Sequence, residues 1–211
     1  MILFWYMFNL TPNELRILKP LTTPQKVQDF LETIPINFEE TKETCMSPRM
    51  VLKEWKAHCI EGAMLAALIL RLHGHRPLLV DMTATPDDDD HVIAVFKQHG
   101  HWGAISKTNH AVLGYRDPIY RTIRELVVSY FHEYSDKKGK KTLRSYSVPI
   151  NLSRFDAKGW MTAQQDVWYV ADHLDTIRHF SFANKAQLVT LRNADPIELK
   201  TGKLLRWNKR P

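Results

Sequence analysis

The run Cys59-Ile-Glu-Gly-Ala-Met-Leu-Ala-Ala-Leu-Ile-Leu-Arg-Leu72 places apolar or small side chains on nearly every side of a helical wheel, and only Glu61 and Arg71 carry charge. A helix with no polar face is stable only where other elements enclose it, so the rest of the chain has to build layers around this segment. Gly74 is a natural stop, since glycine accepts the left-handed turn that closes a helix. The segment falls short of the ~20 apolar residues that span a bilayer, and no other stretch is a transmembrane candidate.

The neighbouring patterns supply those layers. Pro77–Met82 is a short apolar run of strand length, and Thr83–Asp90 is a polar loop. His91–Lys97 and Trp102–Lys107 read as two strands joined at Gln98-His-Gly-His101, a hairpin signal. Pairing Lys97 with Trp102 sets His91 opposite Thr108, with Ser106 diagonal to His91 on the same face. Thr23-Pro24, Ser47-Pro48 and Asp117-Pro118 each combine an N-cap with a first-turn proline, the last predicting a helix to about Tyr134. A further helix is expected from Thr162 through Ile177, with strand patterns at Leu143–Ile150 and Leu188–Leu191. The expectation is one α+β domain over residues 1–211, a cysteine-led helix packed on an antiparallel sheet.

The cysteine that opens the enclosed helix carries the chemical interest. A thiol becomes a nucleophile when its pKa falls from ~8.5, and a helix N-terminus and a nearby imidazolium both lower it. Cys59 has the first device, and His91, opening a strand after a polar loop, can supply the second and then shuttle protons. Spacing alone favours a blander account, because a cysteine in an apolar helix is more often a small core residue.

A family resemblance shifts that balance. His58-Cys-Ile-Glu-Gly-Ala63, Asp90-His-Val-Ile-Ala-Val-Phe96 and Trp102-Gly-Ala-Ile-Ser-Lys-Thr-Asn109 occur in the order cysteine helix, strand, histidine strand, tryptophan-bearing hairpin strand. This resembles the transglutaminase-like superfamily of papain-related cysteine enzymes, in a compact branch. The resemblance covers residues 45–150, through Tyr115-Arg-Asp-Pro118, Arg124-Glu-Leu126 and Tyr130-Phe131, with the N- and C-terminal segments as appendages. It implies Cys59 as nucleophile and His91 as base and acid, with Trp102, His58 and Glu61 as candidates for the substrate cleft. The superfamily's aspartate falls four residues after the hairpin tryptophan, and Ser106 occupies that place here. Ser106 or Asn109 is then the residue that orients the imidazole, by hydroxyl or by amide oxygen. Amide or peptide hydrolysis on a protein or peptide substrate is the expected activity, with no cofactor. Transamidation and a degenerate, peptide-binding module stay open as alternatives.

Other patterns point to simpler roles. Asp87–Asp90 lacks the ligand spacing of a calcium loop and reads as a solvated acidic turn. His73, His75, His99 and His101 show no zinc spacing, so no metal is expected. Asp175 and His179 are expected to pair on one helix. The basic runs Lys137–Lys141 and Lys200–Arg210 carry no aromatic interleaving and a net charge of +6 is modest, so no nucleic-acid partner is expected and basic-surface nucleic-acid binding is a distant alternative. Two cysteines in 211 residues argue for a reducing compartment, the cytoplasm by default. The apolar start, Met1–Leu10, reads as a packing strand, an anchor or a contact patch.

Overall fold

The computed structural model describes residues 8–208. Residues 1–7, and with them most of the apolar start, lie outside the described residues. Three short helices come first: α1 (Pro12–Leu18), α2 (Pro24–Thr33) and α3 (Pro48–Glu54). Each opens with proline in its first turn behind a hydroxyl cap, Thr11, Thr23 or Ser47, whose oxygen accepts a first-turn N–H. The enclosed helix α4 (Cys59–Leu72) begins at the cysteine, and apart from Cys59 and Arg71 every residue in it is buried. Gly74, at φ +89°, takes the left-handed turn that follows.

Seven strands form one antiparallel sheet: β1 (Leu78–Thr83), β2 (His91–Gln98), β3 (His101–Ile105), β4 (Arg116–Tyr120), β5 (Ser145–Ser147), β6 (Ile150–Asn151) and β7 (His179–Ser181). Their order is β4-β3-β2-β1-β5-β7, with β6 also paired to β1. Both faces of the sheet are covered. Leu79, Val92, Ala94, Phe96 and Ile105 pack with α4, while Val80, Met82, Ile93, Val95 and Ala104 face a second core of Leu126, Val127, Tyr130 and Leu143. This double burial explains why β2 is apolar at successive positions instead of alternating. The β2–β3 register pairs Lys97 with Trp102, as the hairpin signal predicted.

Four local expectations are corrected. Asp117-Pro118 lies inside β4, an edge strand, where a proline's missing N–H costs the sheet nothing. The helix expected there starts later, as α5 (Ile123–Val128) under a Thr122 cap. The helix expected from Thr162 is confined to α6 (Trp168–Thr176), and Leu188 lies in the short helix α7 (Lys185–Val189), not in a strand. His179 belongs to β7 and pairs with Asp81 at 3.0 Å, so it does not form the expected helical pair with Asp175. A last helix, α8 (Pro196–Gly202), precedes an extended segment that pairs with residues 109–111 through Arg206 N–H to Asn109 O (2.9 Å) and Ala111 N–H to Leu204 O (3.0 Å). Among the described residues no helix is long and apolar enough to cross a membrane.

Candidate active site

Cys59 is the first residue of α4, half-buried, at the positive end of a fourteen-residue helix. His91 is the first residue of β2, which packs along that helix, and it lines the same cleft as Cys59. One side of its ring is fixed: His91 Nε2 lies 2.7 Å from Ser106 Oγ. The serine hydroxyl gives its own proton to the Leu113 carbonyl at 2.6 Å, so Nε2–H of His91 is the donor to Oγ. Gln28 clamps the serine backbone from both sides, with Ser106 N–H to Gln28 Oε1 and Gln28 Nε2 to Ser106 O, each 3.0 Å. The structure thus ties His91 to Ser106 and sets His91 and Cys59 on one cleft.

It does not bring Asn109 there. The Asn109 amide donates to the Trp207 carbonyl (2.9 Å) and accepts from the Trp207 N–H (2.8 Å), which consumes the group that would have oriented the ring. Trp102 is a second correction. It packs on the second core, at the far end of β3 from Ser106, with Lys97 over its ring at 5.5 Å.

His58 and Glu61, expected in the cleft wall, lie beneath the cysteine instead. Glu61 is fully buried, and its carboxylate accepts from Thr44 Oγ1 (2.7 Å), Met46 N–H (2.9 Å) and His58 N–H (2.9 Å). Asn37 Nδ2 adds a fourth donor at 3.3 Å. One carboxylate therefore ties the chain before α3 to the first turn of α4. His58 Nε2 donates to the Thr44 carbonyl at 2.8 Å, with Glu61 Oε1 at 3.4 Å and Glu39 Oε1 at 3.5 Å.

These surroundings set the charges. Burial opposes a thiolate at Cys59, yet hydrogen bonds from His58 and His91, and then their charges, push its pKa down to about 5. Burial likewise opposes charge on His58, but its bond to Cys59, the Glu61 and Cys59 charges and the Thr44 carbonyl push it up to about 9. Cys45 shows the contrast. It is buried, and desolvation followed by the Glu61 and Asp166 charges raises it to about 12.

Lys107 escaped the sequence reading. It is 2% exposed, its Nζ donates to the Leu31 carbonyl (3.1 Å) and to the Ile34 carbonyl, and so it closes the C-terminal end of α2. Desolvation, then the Arg206 charge, lower its pKa to about 8. Its stem lies on Gly62, where a Cβ would sit 2.4 Å from Lys107 Cβ. A glycine one turn past an enclosed cysteine was the available signal: it marks a close approach, here by Lys107.

Cys59 and His91 open into a cleft of about 810 Å³. Its walls are the Asp88–Asp90 loop, Lys107–His110, Leu113, Tyr134–Lys137 and the Glu198–Lys203 stretch of the C-terminal segment. Within the acidic loop, Asp90 Oδ1 accepts the Ala84 N–H at 2.7 Å, which holds the turn that feeds His91. No cluster of three or more His, Cys, Asp or Glu suited to a metal ion occurs among the described residues. Chemically, the arrangement offers a cysteine of lowered pKa at a helix N-terminus facing a cleft, with a histidine fixed by Ser106 on the same cleft. Comparison of the chain with models of known protein families and with curated proteins finds no match.

Proposed function

We propose that this protein is a cysteine-dependent acyl-transfer enzyme of papain/transglutaminase-like architecture, acting on amide or peptide bonds of a protein or peptide. One observation carries the reading: Cys59 opens a helix at the wall of a cleft that His91, fixed through Nε2 by Ser106, also lines, and the imidazoles of His58 and His91 lower the pKa of its thiol. The sulfur adds to the substrate carbonyl carbon as the carbonyl π pair moves to oxygen. Collapse breaks the bond to the leaving group, which takes a proton that His91 relays from cleft water and that returns to solvent after the second half-reaction. In the second half-reaction His91 takes a proton from the incoming water or amine as the carbon–sulfur bond breaks and the electron pair returns to sulfur. Water as acceptor gives hydrolysis, which the reading favours. Two unpaired cysteines, one of them reactive, suit a reducing compartment such as the cytoplasm.

The test is limiting iodoacetamide on the native chain across pH, followed by peptide mass analysis. Cys59 is expected to label with a midpoint near 5, and Cys45 to resist throughout. Equal labelling of both cysteines, or a Cys59 midpoint near ~8.5, would make an activated nucleophile untenable.

The neutral hydroxyl of Ser106 favours a second reading, a module that binds peptide in the same cleft without turnover, because serine lends imidazolium no charge. A p-nitrophenyl ester separates the two. Acylation of Cys59 followed by release of the acid supports the enzyme, and no acylation supports the binding module.

A further inference from the structure

His58 immediately precedes Cys59, His91 lines the same cleft as its thiol, and the outer sides of the two imidazoles differ. A carbonyl oxygen only accepts, so His58 Nε2, 2.8 Å from Thr44 O, carries a hydrogen. Ser106 spends its proton on Leu113, so His91 Nε2 carries one as well. Each ring is left with Nδ1 for the sulfur, and the protons shared among Sγ and the two Nδ1 atoms decide where charge resides. Among the described residues, the groups that form ion pairs with His58 both favour a cation there: Glu39 from the chain before α3 and Glu61 from α4. His91 has only the serine hydroxyl on its outer side, and no carboxylate forms an ion pair with it among the described residues.

We propose that His58 is a positioning residue that stays protonated and holds Cys59 as a thiolate through an ion pair, which leaves His91 for proton transfer. The charge that relatives with an acidic third member place behind the catalytic histidine is supplied here behind the residue preceding the nucleophile, by Glu61 and Glu39. The upward displacement of the His58 pKa and the downward one of Cys59 agree with this division. So does the burial of Glu61, which cannot turn away from His58 without stranding the Thr44, Met46 and His58 donors. The assignment rests on the reading of Cys59 as a nucleophile.

The test compares iodoacetamide labelling of Cys59 against pH in the full chain and in His58→Gln and His91→Gln. The expected result is a midpoint raised by about 2 units in His58→Gln, and by less in His91→Gln. A His58→Gln midpoint within about half a unit of the parent, or a larger shift in His91→Gln, overturns the proposal. Ring-15N NMR of the unmutated chain decides the same point should His58→Gln fail to fold. Two protonated nitrogens on His58 at about pH 7.5 are expected, and a neutral tautomer there overturns the proposal. A parent midpoint near ~8.5 sinks the nucleophile reading itself, whereas a low parent midpoint unmoved by His58→Gln sinks this assignment alone.

Discussion

The Ser106 hydroxyl sits between two partners, accepting from His91 Nε2 at 2.7 Å and donating to the Leu113 carbonyl at 2.6 Å. An aspartate in its place has no proton for Leu113 and would set a carboxylate against a carbonyl oxygen. Ser106→Asp is therefore expected to lose about 1–3 kcal/mol of stability in urea unfolding, even though its charge would favour a protonated His91. Ser106→Ala should cost a similar amount and slow Cys59 labelling, because His91 loses the acceptor that orients its ring. Labelling as fast as the parent's in Ser106→Ala would show that the contact does not orient His91.

Gly62→Ala is a probe of how closely Lys107 lies on α4. The new Cβ would stand 2.4 Å from Lys107 Cβ and 2.7 Å from Cγ, contacts that a long flexible side chain cannot relieve at its root. Overpacking of about 1–3 kcal/mol outweighs the ~1 kcal/mol that alanine gains in a helix. Thermal unfolding should fall by several degrees, and Lys107→Ala should not rescue it, since its Cβ stays in place.

Lys107 gives stability a pH dependence of its own. Its folded pKa is lowered from 10.5 to about 8, so between those values the unfolded chain binds the extra proton and stability rises with pH. Relative to Lys107→Met, the parent should gain stability from pH 8 to 10.5 and show no such gain below 8. Parallel curves for the two proteins across that window would contradict the buried ammonium.

Glu61→Gln replaces an oxygen that accepts hydrogens with an amide that carries its own. At least one of the Thr44, Met46 and His58 donors would be left unpaired in the interior, at a cost of about 1–3 kcal/mol. The variant should also raise the Cys59 labelling midpoint, because His58 loses the nearer of its two carboxylates.

The Cys59–His58 pair should leave a particular mark on stability against pH. Cys59 drops from 9.0 to about 5 on folding and His58 rises from 6.5 to about 9. Between pH 6.5 and 9 folding only moves a proton from sulfur to imidazole, so the pair adds no slope there. Between pH 5 and 6.5 the unfolded chain holds one more proton, and stability should rise with pH. Stability measured against the Cys59→Ala/His58→Gln double variant isolates that term. A difference that changes steadily from pH 6.5 to 9 would show that the two groups do not exchange a proton.

What the sequence determined by itself is local and periodic. The all-round apolarity of Cys59–Leu72 required an enclosed helix, proline behind a hydroxyl cap marked the starts of α2 and α3, and the Gln98–His101 turn set a register that places Ser106 diagonal to His91. Such signals depend on nearest neighbours and on side-chain alternation, which a linear string records. The tertiary structure decided the rest, because it depended on partners distant in the chain. Asp117-Pro118 carries a helix-start pattern, yet β3 offered an open edge, and pairing with it decided the segment as strand. Asn109 lost its place beside His91 to a backbone 98 residues away, that of Trp207. Glu61 and His58 are a short motif in the string. Only the return of residues 37–46 over the start of α4, delivering the Asn37, Thr44 and Met46 donors, turns them into a buried polar system next to Cys59. Burial strengthens each of those contacts by excluding water, and burial is a property of the assembled fold.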